Sequence, residues 1–259
     1  MVATDRVLLF TASTLRSVAV GLTGVVLSLY LATIGCDAAA IGLVISLGLA
    51  GCALGTFVVT WGVDRWGRRR ALVLLSLLMA LGGVALASTT QMAWIAVAVL
   101  IGMVNSMGQD RGAGLTIEQA ILPQTTGASQ RTKVFAWYNL LSDGGHALGA
   151  LLGGLPAFLR TVCGVDALSS YRWAFLVYGL LNVLSAFLYA RLSPQVELAT
   201  PEVPRRLSAR SRPIVMKFSA LSAIDSFGAF RGAWLACKRL LRCRPFVSAA
   251  PFSAQGWGC

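Results

Sequence analysis

Acidic residues are scarce in this chain: 10 Asp and Glu against 22 Lys and Arg in 259 residues, with a single histidine. Charge of either sign makes up only 12% of the residues. A soluble domain of this length needs about twice that to coat its surface. The common hydrolytic signatures are missing too. There is no H-E-x-x-H and no G-x-S-x-G, so neither a zinc-protease helix nor a nucleophile elbow is written in the chain. The cysteines, Cys36, Cys52, Cys163, Cys237, Cys243 and Cys259, follow no metal-ligand spacing. They read as small packing residues or free thiols. No metal and no cofactor is expected, and a membrane-embedded enzyme is the poorest of the readings.

Long apolar runs fill the space that charge leaves. The chain is 56% hydrophobic, with a mean hydropathy of +0.72. No charge stands between Asp37 and Asp64, and none between Arg70 and Asp110. Apolar stretches of about 18 residues or more read as membrane-spanning helices. Six are expected, at residues 7–34, 39–63, 71–88, 134–159 and 171–190, with a fourth in order starting at 92 and ending between 109 and 122. The fold class is therefore an all-α integral membrane protein, a bundle of six transmembrane helices. Gly, Ala and Ser recur inside the spans, as closely packed membrane helices require.

The basic residues set an orientation. Arg65, Arg68, Arg69 and Arg70 fall between the second and third spans, Arg131 and Lys133 between the fourth and fifth, and Arg191, Arg205, Arg206, Arg210, Arg212 and Lys217 after the sixth. The intervening loops carry almost none. The N-terminus and the segment after residue 190 are expected in the cytoplasm, with the chain in the cell (inner, plasma) membrane. The net charge of +12 follows from this asymmetry rather than from nucleic-acid binding. The first apolar run is too long for a cleaved signal peptide, and Arg16 interrupts it.

Polar groups at membrane depth are costly and mark a functional path or a structural contact. In the fifth span Asn139, Asp143 and His146 fall within about 60° of one another on one helix face. Gly145, Gly149 and Gly153 lie roughly 90° away. The division suggests a polar face towards a cavity and a glycine face towards a neighbouring helix. Asp143 and His146 are one turn apart and could share a proton. Polar contacts between helices remain the alternative. Arg16 either lines the cavity or extends to the headgroups. Glu118 depends on the fourth span. If that span ends at 109, Asp110, Arg111 and Glu118 are interfacial, the plainer reading. If it runs to 122, Glu118 can partner Arg16 or His146.

The segment "GVDRWGRRR", residues 62–70, puts five charges into nine residues between two apolar spans. It resembles the loop motif of the major facilitator superfamily, G-x-L-A-D-R/K-x-G-R/K-R/K. Asp64, Arg65, Gly67, Arg68 and Arg69 match; Thr60 stands at the first glycine and Gly62 at the leucine. A generic positive-inside loop would explain the arginines but not Asp64 and Gly67. "GHALGALLGG", residues 145–154, is similar to the family's G-x-x-x-G-P-x-x-G-G pattern through Gly145, Gly149, Gly153 and Gly154, with Ala150 at the proline. A helix-packing stripe of small residues is the other reading of it.

The resemblance implies the N-terminal six-helix half of a secondary transporter, apparently truncated, with residues 1–192 as that half. Its substrate would be a small solute, with proton-coupled efflux as the finer expectation, in a cavity bearing Arg16, Glu118, Asn139, Asp143 and His146. Asp64 and the arginines of its loop would act as a conformational latch between the halves, with no partner for it inside this chain. The implied partners are the lipid bilayer, the solute, protons and a second six-helix half. The alternative is a truncated membrane fragment that transports nothing. No residue pattern separates a sugar, drug, amino acid or organic anion. Residues 193–213, rich in Pro, Ser and Arg, are expected to be a cytoplasmic linker. Residues 214–230 are expected to be a partial seventh span, with Lys217 and Asp225 inside it. Residues 231–259 read as a basic, atypical tail, either a change of reading frame or an amphipathic segment on the inner leaflet.

Overall fold

The computed structural model describes residues 2–108 and 112–193, with four more at 216, 217, 220 and 221. The chain divides into two compact units, Met1–Pro201 and Glu202–Cys259. Everything below concerns the first. The expected linker (beyond Ser193), most of the partial seventh span and the basic tail lie outside the described residues.

Among the described residues of the first unit there are eight α-helices: α1 Val2–Thr33, α2 Ala38–Trp66, α3 Arg68–Ser88, α4 Met92–Ile101, α5 Ala113–Ile121, α6 Arg131–Leu152, α7 Leu155–Cys163 and α8 Ala167–Ala190. No strand occurs among the described residues. Their starts have local causes. Asp37 caps α2 by accepting from the Ala40 backbone N–H at 2.8 Å. Asp166 does the same for α8 through the Ser169 N–H at 3.0 Å. Each satisfies one of the orphan donors of a helix N-terminus. Gly67 separates α2 from α3 at φ +89°, a conformation that side chains with a Cβ resist.

Among the described residues, five stretches are long and apolar enough to cross a membrane: α1, α2, α3, α6 with α7, and α8. The outward faces are apolar, with Phe57, Trp61, Leu81, Trp94, Leu151 and Trp173 exposed. The interior collects polar side chains, among them Ser13, Ser17, Ser76, Asn105, Ser170 and Asn182. This inversion of the soluble pattern is what a lipid solvent selects. α1 lies at the centre, packed on α6 and α8, while α3 packs on α8 and α4 on α2 and α3. α2 and α6 are the least buried of the long spans.

The fourth span differs from the expectation of one continuous helix. It is broken after Ile101, and the chain resumes as α5 at Ala113. Gly102 ends α4, and Met103 turns left-handed at φ +51°. The freed backbone finds partners within the protein. The Val104 N–H donates to the Val99 carbonyl at 3.1 Å, and the Cys52 thiol donates to the Met103 carbonyl at 3.3 Å. Ser106 donates to the Gly24 carbonyl at 3.1 Å and meets the Ser28 hydroxyl at 2.7 Å. Non-helical backbone is tolerated at membrane depth only when protein covers it in this way. The cover is close because it is made of glycine. A Cβ on Gly51 would collide with the Leu100 carbonyl, one on Gly48 with that of Val104, and one on Gly82 would sit 2.8 Å from the Gly102 Cα. The fifth span is also in two pieces, with Gly153 and Gly154 between α6 and α7.

Candidate transport cavity

The glycine stripe of α6 sets the geometry. Gly145 faces Thr14 and Ser17, Gly149 faces the backbone of Val18, and Gly153 faces Val25, all on α1. Gly21 of α1 returns the contact, lying against the His146 carbonyl. Gly154 has no comparable approach to α1. Two backbones therefore run side by side, and the polar face of α6 is carried up against Arg16. Ser13 and Ser142 add a hydroxyl contact across the same seam at 3.4 Å.

Beside that seam is a cavity of about 200 Å³ lined by Arg16, Asn139, Asp143 and His146, together with Ser17, Gln119, Tyr138 and Ser142. The structure thus gathers four of the five residues named from sequence. Asn139 and Asp143 are exposed at its rim, and His146 is half-buried.

Glu118 lies behind Arg16 and is fully buried. This corrects the interfacial placement, which assumed that the helix stops at 109; the chain instead re-forms a helix at Ala113 and carries Glu118 inward. The Arg16 Nη2 donates to Glu118 Oε2 at 2.5 Å. The Tyr138 hydroxyl donates to the same oxygen at 2.5 Å, and the Tyr189 hydroxyl donates to Oε1. Arg16 Nε reaches the Tyr189 oxygen at 3.4 Å. Arg16 is only 3% exposed, so it does not extend to the headgroups. Four helices, α1, α5, α6 and α8, each give one side chain to this quartet. A buried ion pair survives only if further hydrogen bonds satisfy its remaining lone pairs, and the two tyrosines supply them. Neither tyrosine stood out in the sequence. Their rings read as core, and only the need of a buried carboxylate for donors points to their hydroxyls.

The charged loop is also tied inward. Arg69 Nη2 donates to the Ala190 carbonyl at 2.5 Å, and Arg68 Nη1 to the Ala120 carbonyl at 3.4 Å. These arginines therefore have backbone partners on α5 and α8. The carbonyl ends of α5 and α8 carry partial negative charge, which guanidinium groups complement. The side chains of Asp64 and Arg65 lie outside the described residues, as do Asp110 and Arg111. Among the described residues no group of three His, Cys, Asp or Glu could hold a metal.

Residues 9–256 match the Major Facilitator Superfamily. The uncharacterized membrane protein YJR124C of Saccharomyces cerevisiae is 31% identical over 196 residues, which cover 75% of this chain and 44% of that protein. A putative membrane protein insertion efficiency factor of Picosynechococcus is 51% identical over 39 residues, 15% of this chain and 48% of that protein. The chain thus spans under half the length of either curated relative. With a multi-pass helical bundle, a charged loop between α2 and α3, and a family match over nearly its whole length, the chain belongs to the Major Facilitator Superfamily, a family of membrane transporters.

Proposed function

We propose that the chain forms half of a secondary active transporter for a small polar solute, with the cavity beside Arg16 as the solute site. The observation that carries this reading is the convergence of Arg16, Asn139, Asp143 and His146 on one cavity of about 200 Å³. Charged groups at membrane depth are retained where they line an aqueous path. The exposure of the α2 and α6 faces, and the coverage of under half of YJR124C, favour a second six-helix half as partner. Asp143 and His146 supply groups that could carry a proton between the two sides, which favours proton coupling, and the glycine motif leans towards export. The basic loops favour a cytoplasmic N-terminus in the cell membrane.

A growth screen of cells expressing the chain against a panel of toxic small molecules tests the solute site. Resistance that is lost in Asp143→Asn and in His146→Ala supports it; resistance unchanged in both removes the two residues from the path. A folded bundle whose vesicles show the same flux as empty ones favours the second reading, a membrane fragment with no transport of its own. For orientation, a cysteine placed at Ser208 in a cysteine-free background should escape an impermeant reagent in intact cells. Labelling there would invert the topology.

A further inference from the structure

Another cavity, of about 430 Å³, opens between α3 and α4 and shares no residue with the one beside Arg16. Its walls are apolar, with Leu78, Leu81 and Ala85 on α3 and Trp94, Val97 and Ile101 on α4. Its polar end is Ser88 and Thr89, where α3 stops. Leu78 stands midway along α3, so the groove follows only the second half of that helix. The rise from Leu78 to Thr89 is about 16 Å, close to half of a hydrocarbon core of about 30 Å. The groove thus has the length of one leaflet, on the side away from the charged α2–α3 loop. We propose that it is a binding site for a glycerophospholipid of that leaflet, with an acyl chain between α3 and α4 and the phosphate held by Arg172.

Apolar shape alone selects no lipid. Lipid tails are as apolar as the groove, so moving one in from the bilayer gains little. A resident lipid needs a hollow of its own and a polar grip. Small residues make the hollow: Gly82, Ala85 and Ala98 line it where a face that only met bulk lipid would carry large side chains. Backbone contact closes it, since a Cβ on Gly102 would sit 2.7 Å from the Gly82 Cα. The grip comes from α8, which runs antiparallel to α3. A Cβ on Gly83 would meet the Phe175 carbonyl, and one on Gly179 the Ala80 carbonyl. Arg172, one turn before Phe175, is thereby level with the last turn of α3. Tyr30 braces that level, packing on Tyr171 and Phe175 and donating to the Thr89 carbonyl at 2.6 Å. The Arg172 Nε is buried and has no hydrogen-bond partner among the described residues. A buried donor of this kind calls for an acceptor, and a phosphodiester offers a guanidinium charged oxygens. The Thr89 hydroxyl accepts from the Gln91 N–H at 3.2 Å and keeps its own proton to donate. Trp94, exposed at the same rim, is the residue type that collects at headgroup level.

Native mass spectrometry of the full chain in detergent, with no solute present, tests the site independently of transport. Two probes share dioleoyl tails: phosphatidylcholine, which carries a phosphate, and diacylglycerol, which does not. The wild-type chain should retain a phosphatidylcholine under conditions that strip bulk lipid, and take it in preference to diacylglycerol. Ala85→Phe, which fills the groove, should lose that adduct. Leu81→Trp, at the exposed rim of the groove, is read in the same way if the phenylalanine variant does not fold. Arg172→Gln should lower the preference for phosphatidylcholine by about tenfold, the weight of one charged hydrogen bond. Leu148→Phe, at an exposed apolar position on α6, should leave the adduct unchanged. Equal retention by wild type and the groove variants, or an Arg172→Gln chain with the wild-type preference, would overturn the proposal. A dimer of the chain that disappears in Ala85→Phe would assign the groove to a protein surface and overturn it too.

Discussion

Arg16 and Glu118 are 102 positions apart in sequence, and their side chains meet at 2.5 Å in the buried interior of the bundle. Removing one partner strands the other charge. Arg16→Met or Glu118→Leu alone should therefore cost about 3–5 kcal/mol of stability. The double variant Arg16→Met, Glu118→Leu should be more stable than either single one, because no orphan charge remains. Thermal melting in detergent measures all three. Single variants that melt with wild type would mean the pair is not buried in the membrane-embedded protein.

Gly149 and Gly144 sit on the same helix in opposite circumstances. A Cβ on Gly149 runs into the backbone of Val18, while one on Gly144 meets nothing within 4 Å. Gly149→Ala should separate α6 from α1 and lower the melting temperature. Gly144→Ala should be neutral or stabilising, by up to about 1 kcal/mol from helix propensity alone. Equal effects from the two changes would contradict the packing described.

Gly67 turns the chain at φ +89° between two helices. Any other residue is strained there, so Gly67→Ala should cost on the order of 1–3 kcal/mol. Gly127→Ala is the matched control, since Gly127 has open space around it and φ −63°. Chemical denaturation of the two variants gives the comparison. A cost shared equally by both would point to a general loop effect rather than to backbone strain.

The Asp166 carboxyl lies in the loop before α8. It is held below the usual carboxylate range by the backbone N–H of Ser169 that it caps. A depressed value in the folded state favours folding when the group is charged. That contribution is present above the ordinary aspartate range, about 4, and is lost as pH falls through the lower, folded value. Asp166→Asn keeps a capping oxygen but cannot titrate. The gap in melting temperature between wild type and this variant should shrink as pH falls from 7 to 3. A gap that stays constant would show that the charge on Asp166 plays no part in the cap.

Hydropathy located the long spans closely, because a run such as Ala38–Trp66 has only one way to be satisfied in lipid. The grouping of Asn139, Asp143 and His146 was also legible, since helical geometry alone puts them on one face. The break in the fourth span was not. Residues 92–109 are uniformly uncharged, and what interrupts the helix is backbone cover from glycines on three other helices, a tertiary fact. Glu118 was unplaced for the same reason. Its position depends on where the helix restarts, and its donors Tyr138 and Tyr189 come from distant segments. The roles of Arg68 and Arg69 needed the ends of α5 and α8 in space, since a carbonyl acceptor leaves no mark in the sequence.

The interrupted fourth span also bears on how the protein is made. Met92–Ile101 is ten residues, about 15 Å of helix, against a hydrocarbon core of about 30 Å. Left alone in lipid, the irregular stretch that follows would expose backbone groups at several kcal/mol each. The surface that covers it belongs to Gly24, Gly48, Gly51 and Gly82 on α1, α2 and α3, all synthesised earlier. The faces that the fourth segment needs are therefore made before it, and its crossing is complete only once its irregular stretch docks against those glycines.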